Sequence, residues 1–186
     1  GAVFNSQAGT VTFSGGAAQT LTPGGVDANH DFFNLTVNKS ALAVTLAAPI
    51  QVNGTLTLTA GTLDAAGFAM TVGGNWINAG GTFTPGTGLV TLSGTCALTS
   101  GAGVFYDLTI AATGSVTPQD ALTVNRHFTI NLGGVYTHNA QTLTLGGAGG
   151  VAGNVTDSTA VKQDLGAVTV STAAKTALSS LSMSSL

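Results

Sequence analysis

Hydrophobic and polar positions alternate along most of the chain in short bursts. Val11-Thr12-Phe13, Leu35-Thr36-Val37, Val44-Thr45-Leu46, Leu56-Thr57-Leu58, Met70-Thr71-Val72 and Val90-Thr91-Leu92 all have the form apolar–Thr–apolar. A period of two turns the apolar pair to one side of a strand and the threonine to the other. Gly, Asn, Pro and Ala separate the bursts, as turn residues do. The pattern predicts many short strands, each with one buried and one wet side.

The bursts belong to a larger repeat. Residues 9–15, Gly-Thr-Val-Thr-Phe-Ser-Gly, recur as Gly-Leu-Val-Thr-Leu-Ser-Gly at 88–94. Phe32-Phe33-Asn34-Leu35-Thr36-Val37 recurs as Phe105-Tyr106-Asp107-Leu108-Thr109-Ile110. Leu56-Thr57-Leu58 matches Phe128-Thr129-Ile130, and Met70-Thr71-Val72 matches Leu143-Thr144-Leu145. Order and spacing are both kept, which is the mark of duplication. The first pair is spaced wider than the other three, and this places an insertion in the first copy around Gly24 to Asp31. The chain divides into a first repeat at 1–79, a second at 80–154, and a divergent segment at 155–186 holding one strand plus a cap or docking arm.

Two all-β architectures fit: a parallel β-solenoid, or an antiparallel β-sandwich of hairpins. Asn53-Gly54 is the kind of pair that closes a type I′ hairpin, because both turn residues need positive φ. Its counterpart is Asn125-Arg126, and arginine is poorly suited to positive φ. A solenoid corner tolerates both, so a parallel β-helix is expected.

Composition supports the class. Only 6% of residues are charged, against about 25% in an ordinary domain. All seven acids are Asp, while 30 threonines and 27 glycines supply the polar surface and the corners. Net charge is −3 with no run of Lys or Arg, so the footprint of nucleic-acid binding is missing. No apolar run is long enough for a transmembrane helix. The start at Gly1, within a repeat, suggests a piece cut from a longer precursor. A lone Cys96 makes no intrachain disulfide.

Val52-Asn53-Gly54-Thr55-Leu56-Thr57-Leu58 followed by Gly61-Thr62-Leu63, and Gly73-Gly74-Asn75-Trp76 followed by Gly81-Thr82-Phe83-Thr84-Pro85-Gly86, carry a resemblance. Over about residues 1–150 the texture resembles the repeats of large secreted bacterial surface proteins, of the filamentous haemagglutinin and autotransporter-passenger adhesin type. The resemblance implies a right-handed parallel β-helix exported to the cell surface.

Candidate chemistry is sparse. Asp27, Asn29 and Asp31 have a spacing that places oxygens around calcium, but Phe32 stands where a calcium loop needs glycine and no Glu follows. No other cofactor is expected. The remaining aspartates are scattered, and Lys39, Arg126, Lys162 and Lys175 are the only Lys or Arg residues, so a catalytic acid–base set is hard to assemble. His30, His127 and His138 lie in no metal spacing. Aromatic residues recurring in register, Phe33 with Tyr106 and Phe4 with Phe83, suggest an internal column. Trp76 is expected outside as a partner contact, as are Leu178, Leu181, Met183 and Leu186 of the tail. Asn34, Asn38, Asn53 and Asn154 open glycosylation sequons, and alternation points Asn34 and Asn38 outward. Outward threonine rows raise ice binding, although Asn, Asp and Lys interrupt them.

The expectation is a non-enzymatic, extracellular structural module of a surface adhesin, sheath or fibre, whose partner is either a further copy, head to tail, or a cell-surface or carbohydrate contact. The alternatives are a carbohydrate-binding or polysaccharide-degrading β-helix, and a sandwich-type pilus subunit with an exchanged strand.

Overall fold

The computed structural model describes residues 7–25, 30–146, 151–171, 175–177 and 181. They form an all-β solenoid of about 8 turns, with every strand pairing parallel and no helix among them. Consecutive segments therefore do not fold back as hairpins, and the sandwich alternative is excluded together with the strand-exchanged pilus subunit built on it.

The strands in chain order are β1 (Thr10–Gly15), β2 (Gln19–Leu21), β3 (Asn34–Leu46), β4 (Ile50–Val52), β5 (Leu56–Asp64), β6 (Met70–Val72), β7 (Trp76–Asn78), β8 (Thr82–Thr84), β9 (Leu89–Leu92) and β10 (Thr95–Thr99). They continue as β11 (Val104–Phe105), β12 (Asp107–Ile110), β13 (Ser115–Pro118), β14 (Leu122–Val124), β15 (Phe128–Ile130), β16 (Val135–Tyr136), β17 (Leu143–Leu145), β18 (Gly153–Asp157), β19 (Val168–Val170) and β20 (Lys175–Ala177). One coil carries the chain from Leu56 to its register partner Trp76, or from Met70 to Val90.

Each coil has three faces. The first is the ladder β4-β6-β9-β12-β15-β18-β20, and the second is β1-β3-β5-β7-β10-β13-β16. The third begins with β2, the later halves of β3 and β5, and β8. It resumes as β11-β14-β17-β19. A cleft lined by Asn78, Thr82, Phe83, Pro85, Gly101 and Val104 lies between the two parts of this third face.

Alternation builds the core. On the first face Met70, Val90, Leu108 and Phe128 stack in one inward column and Val72, Leu92, Ile110 and Ile130 in the next. All eight are buried. Backbone pairing repeats every ~4.8 Å along the axis, so like side chains stack on like.

The repeat and the coil are out of step. Coil by coil, Met70 is followed on the first face by Val90, Leu108, Phe128 and Val155. Its counterpart in the repeat is Leu143, which falls between Phe128 and Val155 in the chain and lies on the third face. Val11 likewise lies on the second face and its counterpart Val90 on the first, and Leu35 and Leu108 shift in the same way. Residues 166–171, Gly-Ala-Val-Thr-Val-Ser, rejoin the pattern as a third start, with Val168 on the third face. The sequence marks 155–186 as divergent, yet β19 and β20 continue the ladders. Leu178, Met183 and Leu186, expected as tail contacts, lie outside the described residues. Leu181 packs, partly buried, against the core.

Corners between the first and second faces stack glycine on glycine. A Cβ on Gly94 would lie 1.9 Å from the carbonyl oxygen of Gly73, and one on Gly74 would lie 2.7 Å from Gly54. Space, and not φ, dictates glycine at these two corners. Gly15, by contrast, has φ +81 with open space around its Cβ position. Gly94→Ala should destabilise by about 3 kcal/mol through overpacking. Gly15→Ala should cost about 1 kcal/mol, from the left-handed backbone alone. Chemical denaturation compares the two, and equal losses would refute the space argument.

Candidate functional site

One corner occurs in both copies with the same backbone frame, although on different edges of the solenoid. It leads from the first face (β4) into the second (β5) in copy one, and from the third (β14) into the first (β15) in copy two. In copy one the amide of Asn53 donates to Phe32 O (2.8 Å) and that of Gly54 to Phe33 O (2.6 Å). In copy two Asn125 N donates to Phe105 O (2.7 Å) and Arg126 N to Tyr106 O (2.7 Å). The next amide is held by a side chain in each case. Thr55 N donates to Asn34 Oδ1 at 2.8 Å, and His127 N to Asp107 Oδ1 at 3.0 Å. Asn53-Gly54 is thus a solenoid corner, and neither residue has positive φ.

The side chains differ sharply. Where copy one has Phe33, Asn34, Gly54 and Thr55, copy two has Tyr106, Asp107, Arg126 and His127. Arg126 makes a two-point contact with Asp107, Nε donating to Oδ1 at 2.9 Å and Nη2 to Oδ2. Its guanidinium lies over the Tyr106 ring, 4.7 Å from the centroid. The hydrogen bond to Asp107 raises the arginine pKa further above its ordinary value. His127 Nδ1 accepts the amide of Asn154 at 3.0 Å, which leaves the ring proton on Nε2. Lys175 of β20 donates to the carbonyls of Asn125, Arg126 and Val151, and burial lowers its pKa.

Two other cations hold backbone. Lys39 is buried and donates to Ser14 O (3.2 Å), Ala17 O (2.5 Å) and Gln19 Oε1 (2.7 Å), tying the first coil down. Lys162 donates to Asp157 O (2.7 Å) and Thr159 O (2.8 Å). All three lysines therefore hold backbone carbonyls, while Arg126 pairs with a side chain.

Asp157 replaces an aliphatic residue in an inward column, paired in register with Ile130. Its carboxylate accepts Thr159 N at 2.9 Å, Thr159 Oγ1 at 2.5 Å and Gln163 N at 2.6 Å. Gln163 Oε1 in turn accepts Tyr136 N at 3.2 Å, so this loop covers the last strand of the second face. Burial alone would raise the Asp157 pKa. The hydrogen bonds from Thr159 and Gln163, with Lys162 nearby, outweigh it and hold the group below its ordinary value.

Several sequence expectations are corrected. Trp76 is not an outer contact but 1% exposed, in an inward column between Leu56 and Leu98. It meets Phe83 and Phe105 edge to face, at 4.8 and 5.0 Å. Phe33 and Tyr106 are not internal: Phe33 is 37% exposed and Tyr106 carries Arg126 on its ring. Phe4 lies outside the described residues. Asn34 is half-buried because its side chain is spent on Thr55, while Asn38 and Asn53 are exposed and Asn154 half-buried. Of the calcium triplet, Asp27 and Asn29 lie outside the described residues. Asp31 is buried, and its Oδ2 accepts Gln51 Nε2 and Asn53 Nδ2, both at 3.1 Å.

The outward threonines form a longer row than the sequence shows. Thr71, Thr91, Thr109, Thr129 and Thr156 are consecutive rungs of the first face. On the second face Ile77 follows Thr57 and breaks the corresponding row. The Arg126 corner was missed in the sequence because its members come from three coils. The signal that could have found it was the paired change from Asn34 and Gly54 to Asp107 and Arg126.

No family model matches the chain, and no curated protein or solved structure is significantly similar to it.

The depressed Asp157 pKa carries a sign. Its contribution to stability is full above the ordinary aspartate range and is lost as pH falls through that range toward the lower native value. Hydrogen exchange should show residues 157–166 opening first on acidification, and Asp157→Asn should abolish that dependence. A flat acid response in the parent protein would contradict it. Burial pushes the Cys96 thiol up to about 11. Cys96 should therefore resist thiol reagents at mildly alkaline pH until denaturant is added, and prompt labelling of the native protein would count against the buried placement.

Proposed function

We propose that the chain is a non-enzymatic structural module of an extracellular surface adhesin, sheath or fibre, able to stack end to end. The observation that carries this reading is the use made of its few charges. Lys39, Lys162 and Lys175 fasten strands, corners and loops, and Asp107 and Asp157 hold backbone amides. Charged groups spent in this way favour a scaffold over a reacting site. Length and stiffness come from parallel ladders that run through the repeat boundary without interruption on the first and second faces. A hydroxyl-rich, nearly neutral wall depends little on salt.

Strand ladders end with unpaired backbone groups, and these favour stacking of a second copy. Electron microscopy of the concentrated protein should show rods of constant width joined end to end. Fibre diffraction from aligned rods should give an axial reflection near ~4.8 Å. A species that light scattering finds monomeric at every concentration would remove the stacking, and release of reducing sugar from a polysaccharide panel would overturn the non-enzymatic reading.

A further inference from the structure

We propose that the Arg126 corner of copy two is a binding site for acidic saccharides, engaging a carboxylate or sulfate group. Copy one acts as an internal control. The same three amide bonds form there with Phe33, Asn34, Gly54 and Thr55, so the fold requires neither the charge on Asp107 nor Arg126 nor His127. An ion pair near the surface stabilises a fold little, too little to explain the whole assembly.

What the assembly does supply is a fixed cation. Asp107 holds Nε and Nη2, and Tyr106 lies beneath the guanidinium plane. A third of the Arg126 side-chain area remains exposed (35%), with Tyr106 also hydrogen-bonded to the guanidinium. A planar, pre-oriented donor edge suits a planar oxyanion and loses little entropy on binding it. His127, the next residue in the chain, adds an Nε2–H donor, its Nδ1 being taken by the Asn154 amide. Lys175, whose Nζ lies 3.2 Å from Arg126 O, brings half of the chain's four Lys and Arg residues to one corner. Two positive charges against Asp107 leave the corner positive on a chain of net charge −3. Thr109 and Thr129 follow Asp107 and His127 on the same outward side, in register, and offer hydroxyls to the sugar.

The test measures binding by calorimetry at low salt with three probes: a heparin oligosaccharide (sulfate), an oligogalacturonate (carboxylate) and dextran (neutral). The full chain should bind at least one acidic probe and not dextran, and the preferred probe identifies the anion. Arg126→Gln should weaken binding about tenfold or more, the size of one charge-assisted contact. The combined change Asp107→Asn, Arg126→Gly and His127→Thr, which installs the copy-one residues, should abolish binding while leaving β-sheet circular dichroism and Tm nearly unchanged. If the combined variant fails to fold, Arg126→Gln alone decides. Absence of binding to both acidic probes, or binding that Arg126→Gln leaves unaltered, overturns the proposal. Neither result bears on end-to-end stacking, which is read by microscopy.

Discussion

A parallel solenoid lives on hydrogen bonds that run along its axis from coil to coil, and these tolerate no change of spacing. Each rung must present its amides and carbonyls one strand spacing, about 4.8 Å, above the last. Almost every feature of this chain follows from that demand. Inward residues stack on inward residues, so the core is a set of columns and not a jumble. Corners come so close that glycine sits on glycine, as at Gly73 and Gly94. Where a larger corner residue appears, as at Arg126, the rung below supplies Asp107 to receive it.

The same demand explains how so few charges suffice. A coil that leaves the ladder exposes carbonyls with no amide above them. Lys39 gathers Ser14 O and Ala17 O in the first coil, and Lys175 gathers three carbonyls near the last. A long flexible stem with a three-donor head suits that task better than any neutral side chain. Asp157 does the reverse with amides, replacing an aliphatic rung so that the loop after β18 can fold over Tyr136. The Tyr136 ring itself packs inward against Phe128, and its hydroxyl is buried with no hydrogen-bond partner among the described residues.

Much of the fold was legible because period-two alternation and glycine corners are local signals. Met70-Thr71-Val72 declares a rung with no knowledge of its neighbours, and Asn125-Arg126 set against Asn53-Gly54 argues for a corner over a hairpin. Trp76 was legible and misread: it lies four residues beyond Val72, and alternation carried through the Gly73-Gly74 corner keeps Met70, Val72 and Trp76 on one inward parity. Phe33 and Tyr106 fail in the opposite sense: they sit at the corner itself, where an aromatic ring can face out. The Arg126 corner depends on residues brought together across coils, and alternation within one strand carries no information about that.

Coil and repeat lengths are incommensurate, and this shapes what the wall displays. Because each copy starts one face back, Val11, Val90 and Val168 begin on the second, first and third faces in turn. A residue type repeated in every copy is therefore spread around the axis and favours no side. A residue set confined to one copy, such as Tyr106, Asp107, Arg126 and His127, stays on one side. In such a wall recognition has to come from departures from the repeat, while the repeat itself supplies only length. That is why the informative positions lie where the two copies disagree over an identical backbone.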